Sequence, residues 1–101
     1  MNTQYINALP TGWDAISTLF VAMGDPERQR LLLAFEPGEK LTAGQLASAS
    51  PLSRTTVSHH LKLLRQAGVL LSEKVGTEVF YWVDKARVDS ALRAVLDYVN
   101  A

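Results

Sequence analysis

Thr42–Leu64 reads TAGQLASASPLSRTTVSHHLKLL, two helical segments joined by a tight turn. In the second segment Val57, Leu61 and Leu64 recur at spacings of four and three, so they share one face of a helix. At about 100° per residue, Thr55, His59, Lys62 and Gln66 fall near the opposite side, and Arg54, Ser58 and Arg65 on one shoulder. Such a helix can be pinned to a core by its back while its front offers hydroxyls, imidazole and cations. Those groups suit phosphate oxygens and the base edges of a DNA major groove. An ordinary amphipathic hairpin with a solvated face shows the same pattern, so the stretch alone leaves both readings standing.

The boundaries of both helices are written into the chain. Thr42 with Gln45 three residues later fits a capping box. Ser50-Pro51 stops the first helix, because proline biases the residue before it away from helical backbone. Ser53 suits the N-cap of the second helix, 54–67, and Gly68 can take the left-handed position just past its end.

Upstream, Gly12 to Met23 is predicted as a helix with Trp13, Ile16, Leu19, Phe20 and Met23 along a wide apolar stripe. Gly24 ends it. Asp25 caps a second helix with Pro26 at its first position and Glu27 in its first turn. Leu31, Leu32, Leu33, Ala34 and Phe35 predict burial of that helix on several sides, up to a stop at Pro37-Gly38. Lys40-Leu41 is expected to form a very short strand. Met1–Pro10 is expected to be a flexible arm on a single domain, 11–101.

After Gly68 the periodicity changes. Val69–Val75 and Val79–Val83 are rich in β-formers and flank Gly76-Thr77-Glu78, which predicts a β-hairpin. Asp84 suits the cap of a final helix over Lys85–Asn100, striped by Val88, Ala91, Leu92, Val95 and Val99. The expected class is mainly α with a β-hairpin, in the order ααααββα. A helix-turn-helix followed at once by a hairpin is a winged helix, a fold whose hairpin can lie beside a groove-bound helix.

Composition sets limits. A chain of 101 residues makes one domain. It has no cysteine, which excludes disulfides and thiolate metal sites. No apolar run exceeds five residues, far short of a bilayer span. The opening MNTQY lacks the cationic start and apolar run of a secretory leader, so a cytoplasmic protein is expected. The formal net charge is zero, but four cations against one acid leave Ser53–Lys74 at +3 and the remainder at −3. The basic segment coincides with the helix that has the polar front.

Two stretches resemble the ArsR/SmtB family of winged-helix transcriptional repressors. Ala22–Leu32, AMGDPERQRLL, is similar to the family's ALGDPTRLRIL. Ser53–Leu70, SRTTVSHHLKLLRQAGVL, is similar to its SQSTVSHHLKLLREAGLV. The similarity covers about residues 13 to 99. It implies a homodimer built from the first and last helices, with two recognition helices facing double-stranded DNA about 34 Å apart, one duplex turn. The expected dimer surface is Trp13, Ile16, Leu19, Phe20, Val88, Leu92, Val95 and Val99. The competing expectation is that the two terminal stripes pack on each other within one chain.

The chain departs from the family in several places. Its arsenic, cadmium and lead sensors carry cysteines in a pattern like ELCVCDL, where this chain has Lys40–Leu46, with Thr42 and Gly44 at the thiol positions. The last helix has Asp89 and Asp97 but no histidine, a poor donor set for a transition metal. Neither a metal nor another cofactor is expected, and the resemblance names no effector for this chain. Family wings often carry arginine near the turn; here Glu73 and Glu78 flank the tip.

Ser53, Arg54, Thr55, Thr56, Ser58, His59 and Lys62, with Lys74 and Thr77 on the wing, are the candidate DNA contacts. His59 is assigned to the outward face and His60 to a hydrogen-bonded place at the edge of the apolar face. Ser58 and His59 diverge as helix neighbours and cannot serve as nucleophile and base, so no enzyme is expected. The alternative function is a winged-helix protein-interaction module without DNA binding, favoured by neutral charge and an acidic wing tip.

Overall fold

A computed structural model describes residues 1–101. Its elements are α1 (Trp13–Met23), α2 (Pro26–Leu33), β1 (Leu41–Thr42), α3 (Ala43–Ser48), α4 (Arg54–Gln66), β2 (Leu70–Val75), β3 (Glu78–Val83) and α5 (Lys85–Val99). This is the winged helix-turn-helix order read from the sequence, with β1 shifted one residue from Lys40-Leu41.

Each predicted N-cap is in place. Asp25 Oδ1 accepts from the backbone amides of Glu27 and Arg28, and Asp84 Oδ1 from that of Arg87. Thr42 and Gln45 form both bonds of the capping box, at 2.8 and 3.1 Å. Ser53 Oγ accepts from the Thr56 amide at 3.2 Å. At the far end of α4, the amides of Gly68 and Val69 donate to the carbonyls of Arg65 and Leu64 at 3.0 and 2.9 Å. These are the two bonds of a Schellman cap. Gly68 has φ +84, and a Cβ there would run into the Arg87 guanidinium. The positive φ favours glycine, and any side chain there would also have to displace Arg87.

The sheet is antiparallel, in the order β1-β3-β2. Val75 pairs with Glu78, leaving Gly76-Thr77 as a two-residue turn with Gly76 at φ +63. That is the position at which a tight hairpin turn calls for glycine. The register puts Leu70, Val83, Ser72, Tyr81, Lys74 and Val79 on one face, and Leu71, Trp82, Glu73 and Phe80 on the other. Tyr81 and Leu70 are buried against the helices.

The core is the back of α4 and what surrounds it. Val57, Leu61 and Leu64 are 0% exposed and cluster with Leu19, Leu31, Leu46, Val69, Leu70 and Tyr81. Full burial of one such aliphatic side chain contributes about 1.5–3 kcal/mol. No helix is long and apolar enough to cross a membrane.

Three expectations need correction. First, α2 stops at Leu33 rather than running to Pro37-Gly38. The amides of Ala34 and Phe35 reach back only three residues, to Leu31 and Leu32. Glu36, preceding Pro37, disfavours helical backbone, so the tightened last turn has no continuation. Second, α2 is not buried on several sides. Leu31 is buried and Leu32 packs partly on the core, but Leu33 is 84% exposed, since consecutive side chains diverge by about 100° and one neighbouring layer cannot cover all three. Third, Leu19, expected at a dimer surface, is 1% exposed within the single chain and belongs to the core. Ile16 and Val88 pack partly on that core as well.

The terminal helices do touch. The rings of Trp13 and Tyr98 meet edge to face at 6.1 Å. Yet Phe20, Leu92, Leu96, Tyr98 and Val99 remain exposed. Tyr5, Ile6 and Leu9 in the N-terminal arm are also exposed.

Candidate nucleic-acid interface

The front of α4 is an open polar surface. Arg54, Thr55, Ser58, His59 and Lys62 line a shallow concavity of about 460 Å³ that contains no hydrophobic residue. Arg54, Ser58 and Lys62 also border a second concavity of about 550 Å³. Its other walls are the start of α3 and the wing, including Thr77 and Glu78. Spaced by four residues each, Arg54, Ser58 and Lys62 span about 12 Å along the helix axis, comparable with the width of a B-DNA major groove.

The local sequence explains this placement. The Ser53 cap starts α4 with Arg54 at its first turn, and the buried seam turns the intervening positions outward. Arg54, Thr55, His59 and Lys62 are exposed, and Ser58 is half-buried. Arg54 and Lys62 make no ion pair within the chain, so their charge is uncompensated by any direct partner.

Ser53 and Thr56 differ from the other candidates. The Ser53 hydroxyl donates to Thr56 Oγ1 at 3.0 Å while accepting from the Thr56 amide. Both hydroxyls therefore serve the cap, and Thr56 is half-buried. On the wing, Thr77 joins the concavity whereas Lys74 is exposed outside its lining. Of the two acids near the tip, Glu73 faces the other side of the sheet and pairs with Lys40 at 3.8 Å. Glu78 stays on the rim of the concavity.

Gln45, Ser48 and Gly44 of α3 also line this concavity, and sequence reasoning assigned them no place in the site. Arg54 lies close enough to Gly44 that an added Cβ would meet its Cζ at 3.8 Å. The available signal was the spacing of Gly44 and Ser48, four apart and off the side of buried Leu46.

His60 holds the boundary place read from the sequence. It is 8% exposed, with Nε2 3.0 Å from Glu27 Oε2 and Nδ1 3.4 Å from Arg28 Nη1. The His59 ring lies 6.1 Å away and tilted by 49°, so the adjacent pair does not converge on one point. The two displaced titrations lie off the front of α4. Asp25 is held below the usual carboxylate range, first by the Arg28 backbone N–H it accepts, with burial opposing. Arg93 is raised by its hydrogen bond to Asp89, at 2.8 Å on α5. That bond engages one of the two acids considered on the last helix.

The chain is similar to known proteins in sequence and in fold. A family model described as "Helix-turn-helix domain" matches residues 23–73. The transcriptional repressor SdpR of Bacillus subtilis is 28% identical over 85 residues, covering 84% of this chain and 93% of that protein. The HTH-type transcriptional regulator CmtR of Mycobacterium tuberculosis is 34% identical over 87 residues, covering 86% and 73%. Among solved structures, an ArsR-like transcriptional regulator from Rhodococcus sp. RHA1 superposes with a TM-score of 0.78 at 26% identity, covering 87% of this chain and 82% of that one.

Proposed function

The chain belongs to the ArsR/SmtB family of winged-helix transcriptional regulators, and on that premise we propose that it is a homodimeric, sequence-specific repressor whose α4 enters the major groove of double-stranded DNA. One observation carries this reading: α4 has its back fully buried, while its front exposes two unpaired cations, Arg54 and Lys62, beside Thr55 and His59. Arg54 reads guanine or grips phosphate at the start of the helix. Thr55, Ser58 and His59 contact phosphates and base edges. Lys62 clamps a phosphate at the far end of the row. Ser53 and Thr56 contribute through the cap and secondarily to phosphate, and Thr77 and Lys74 supply the wing's share.

The dimer surface is the outer side of α1 and α5. Phe20 (39% exposed), Leu92, Leu96 and Val99 (65%) leave apolar area that a single chain does not cover. Trp13 and Val95, partly covered, extend it. Beside them runs a groove of about 550 Å³ between α1 and α5, walled by Ala15, Ala86, Ser90 and Ala94. Small side chains allow a partner helix to approach closely. Residues 11–101 act as one unit, with 1–10 as an arm. Repression follows from blocking promoter access, in keeping with the name of the Bacillus subtilis relative.

The test is a salt titration of binding to random-sequence duplex, followed by selection of preferred duplexes from a random pool. Phosphate contacts predict that log affinity falls linearly with log salt, by about 0.9 per phosphate neutralised. The opposing reading, an interaction module without DNA binding, draws support from Glu78 on the rim. Absence of duplex binding even at low salt would support it and overturn the repressor.

A further inference from the structure

The apolar seam of α4 does not by itself fix the helix's rotation. Val57, Leu61 and Leu64 hold it to the core, but burial of apolar area is non-directional. A roll of about 10° swings a side-chain tip lying about 6 Å from the axis by about 1 Å. That is enough to turn a hydrogen bond into a miss.

One set of directional contacts opposes such a roll. His60 sits on the flank of α4, between the buried seam and the front. Its two ring nitrogens meet Glu27 Oε2 at 3.0 Å and Arg28 Nη1 at 3.4 Å. Arg28 is itself anchored. Its Nε donates to the Ala22 carbonyl at 2.6 Å and its Nη2 to the Val21 carbonyl at 3.4 Å, while Nη1 lies 3.8 Å from Asp25 Oδ2. Val21 and Ala22 belong to the last turn of α1, past the reach of its i→i+4 ladder; the Val21 carbonyl also accepts from the Gly24 amide at 3.4 Å. A guanidinium has donors only. In a neutral imidazole, His60 Nδ1 is then the acceptor and Nε2 carries the proton that is donated to Glu27. Both nitrogens are held by α2, and one of the two residues holding them is locked to the end of α1.

We infer that Glu27 and Arg28 are positioning residues for DNA reading, setting the rotation of α4 through His60. None of the three side chains lines either concavity at the front of α4. On the DNA-binding reading above, losing this contact leaves the phosphate-gripping cations in place but misaligns the side chains that read bases. Base contacts specify sequence, whereas phosphate contacts supply general affinity. Specificity therefore falls further than affinity.

The probes are the duplex that the wild-type protein itself enriches from a random pool and an unrelated duplex of the same length. Arg28→Lys keeps the charge but not the planar fork that spans α1 and His60. It is expected to lower the ratio of the two affinities by about tenfold, the scale of one base contact, with unrelated-duplex affinity and its salt slope kept within about twofold. Glu27→Gln retains an acceptor for His60 and keeps the ratio, while Glu27→Leu lowers it. Glu27 is 42% exposed, so this pair carries the test if Arg28→Lys fails to fold. ¹⁵N-histidine spectra of the free wild type should report the Nε2–H tautomer of His60, with a mixture in Arg28→Lys. An unchanged ratio in the folded Arg28→Lys and Glu27→Leu variants, an equal loss on both duplexes, or a wild-type Nδ1–H tautomer overturns the inference. A wild type that enriches no duplex brings down the DNA-binding reading first, and the inference with it.

Discussion

Helices α4 and α5 are alike in length, 13 and 15 residues, and each carries an apolar stripe. Their fates differ. In α4 the stripe is buried completely, with Val57, Leu61 and Leu64 at 0% exposure, and His60 is enclosed beside it. In α5 only Ala91 is buried, while Leu92, Leu96 and Val99 are 42–65% exposed. Covering by the rest of the chain is finished for one helix and unfinished for the other. A helix with a completed back is free to offer its polar side to a polyanion, whereas a helix with an open apolar side calls for another apolar surface. Amphipathicity alone does not separate these cases; what lies against the stripe does.

The contrast can be broken at either helix. The largest effect is expected from Leu61→Ala, which empties a fully enclosed site and should destabilise the fold by about 2–5 kcal/mol, read by chemical denaturation. Leu96→Ala on α5 should have a much smaller effect on the isolated chain; an equal loss would erase the distinction. Next is Leu92→Glu with Leu96→Glu, which buries charge in the proposed dimer. Sedimentation should show the dimer dissociation constant rising by more than about thirtyfold, the scale of an interface hot spot. A constant that does not move places the partner elsewhere. Third, Arg54→Ala should weaken binding to the selected duplex by about tenfold without altering the dimer. Wild-type affinity in that variant removes Arg54 from the interface.

The smallest effect concerns the turn that leads into α2. Asp25 is held below its ordinary value of 3.8 by the Arg28 backbone N–H. A depressed carboxylate contributes stability above its unfolded-state value and loses it as pH falls through the folded one. Stability should therefore decline on acidification below about pH 4, and Asp25→Asn should shallow that decline while preserving the cap. An unchanged acid limb in Asp25→Asn assigns the loss to other carboxylates.

Much of this molecule is legible locally. The pairs Thr42–Gln45, Ser53–Thr56 and Asp84–Arg87 are each three residues apart, so the chain carries its own helix starts. Gly68 and Gly76 sit where backbone geometry admits little else. The outward positions 54, 55, 59 and 62 follow from helix periodicity once the seam is recognised. The misreadings arise where another element decides. Leu31, Leu32 and Leu33 look equivalent in sequence, but Leu31 is buried, Leu32 is partly covered by the core and Leu33 is left in the open. Leu19 and Phe20 share a stripe, yet one is enclosed by the chain and the other is not. Glu73 and Glu78 look equally acidic at the wing until strand register sends Glu73 to Lys40 on the far side.

By itself, then, the sequence determined the order of elements, their caps and turns, and the polar face of residues 54–62. These depend on bonds and periodicities spanning a few residues. Only the tertiary structure decided which apolar stripe is complete, which wing acid is compensated, and which groups hold His60 from 32 and 33 residues away. Burial and directional contact at such separations depend on how elements pack, and side chains of the same type part company according to what the fold lays against them.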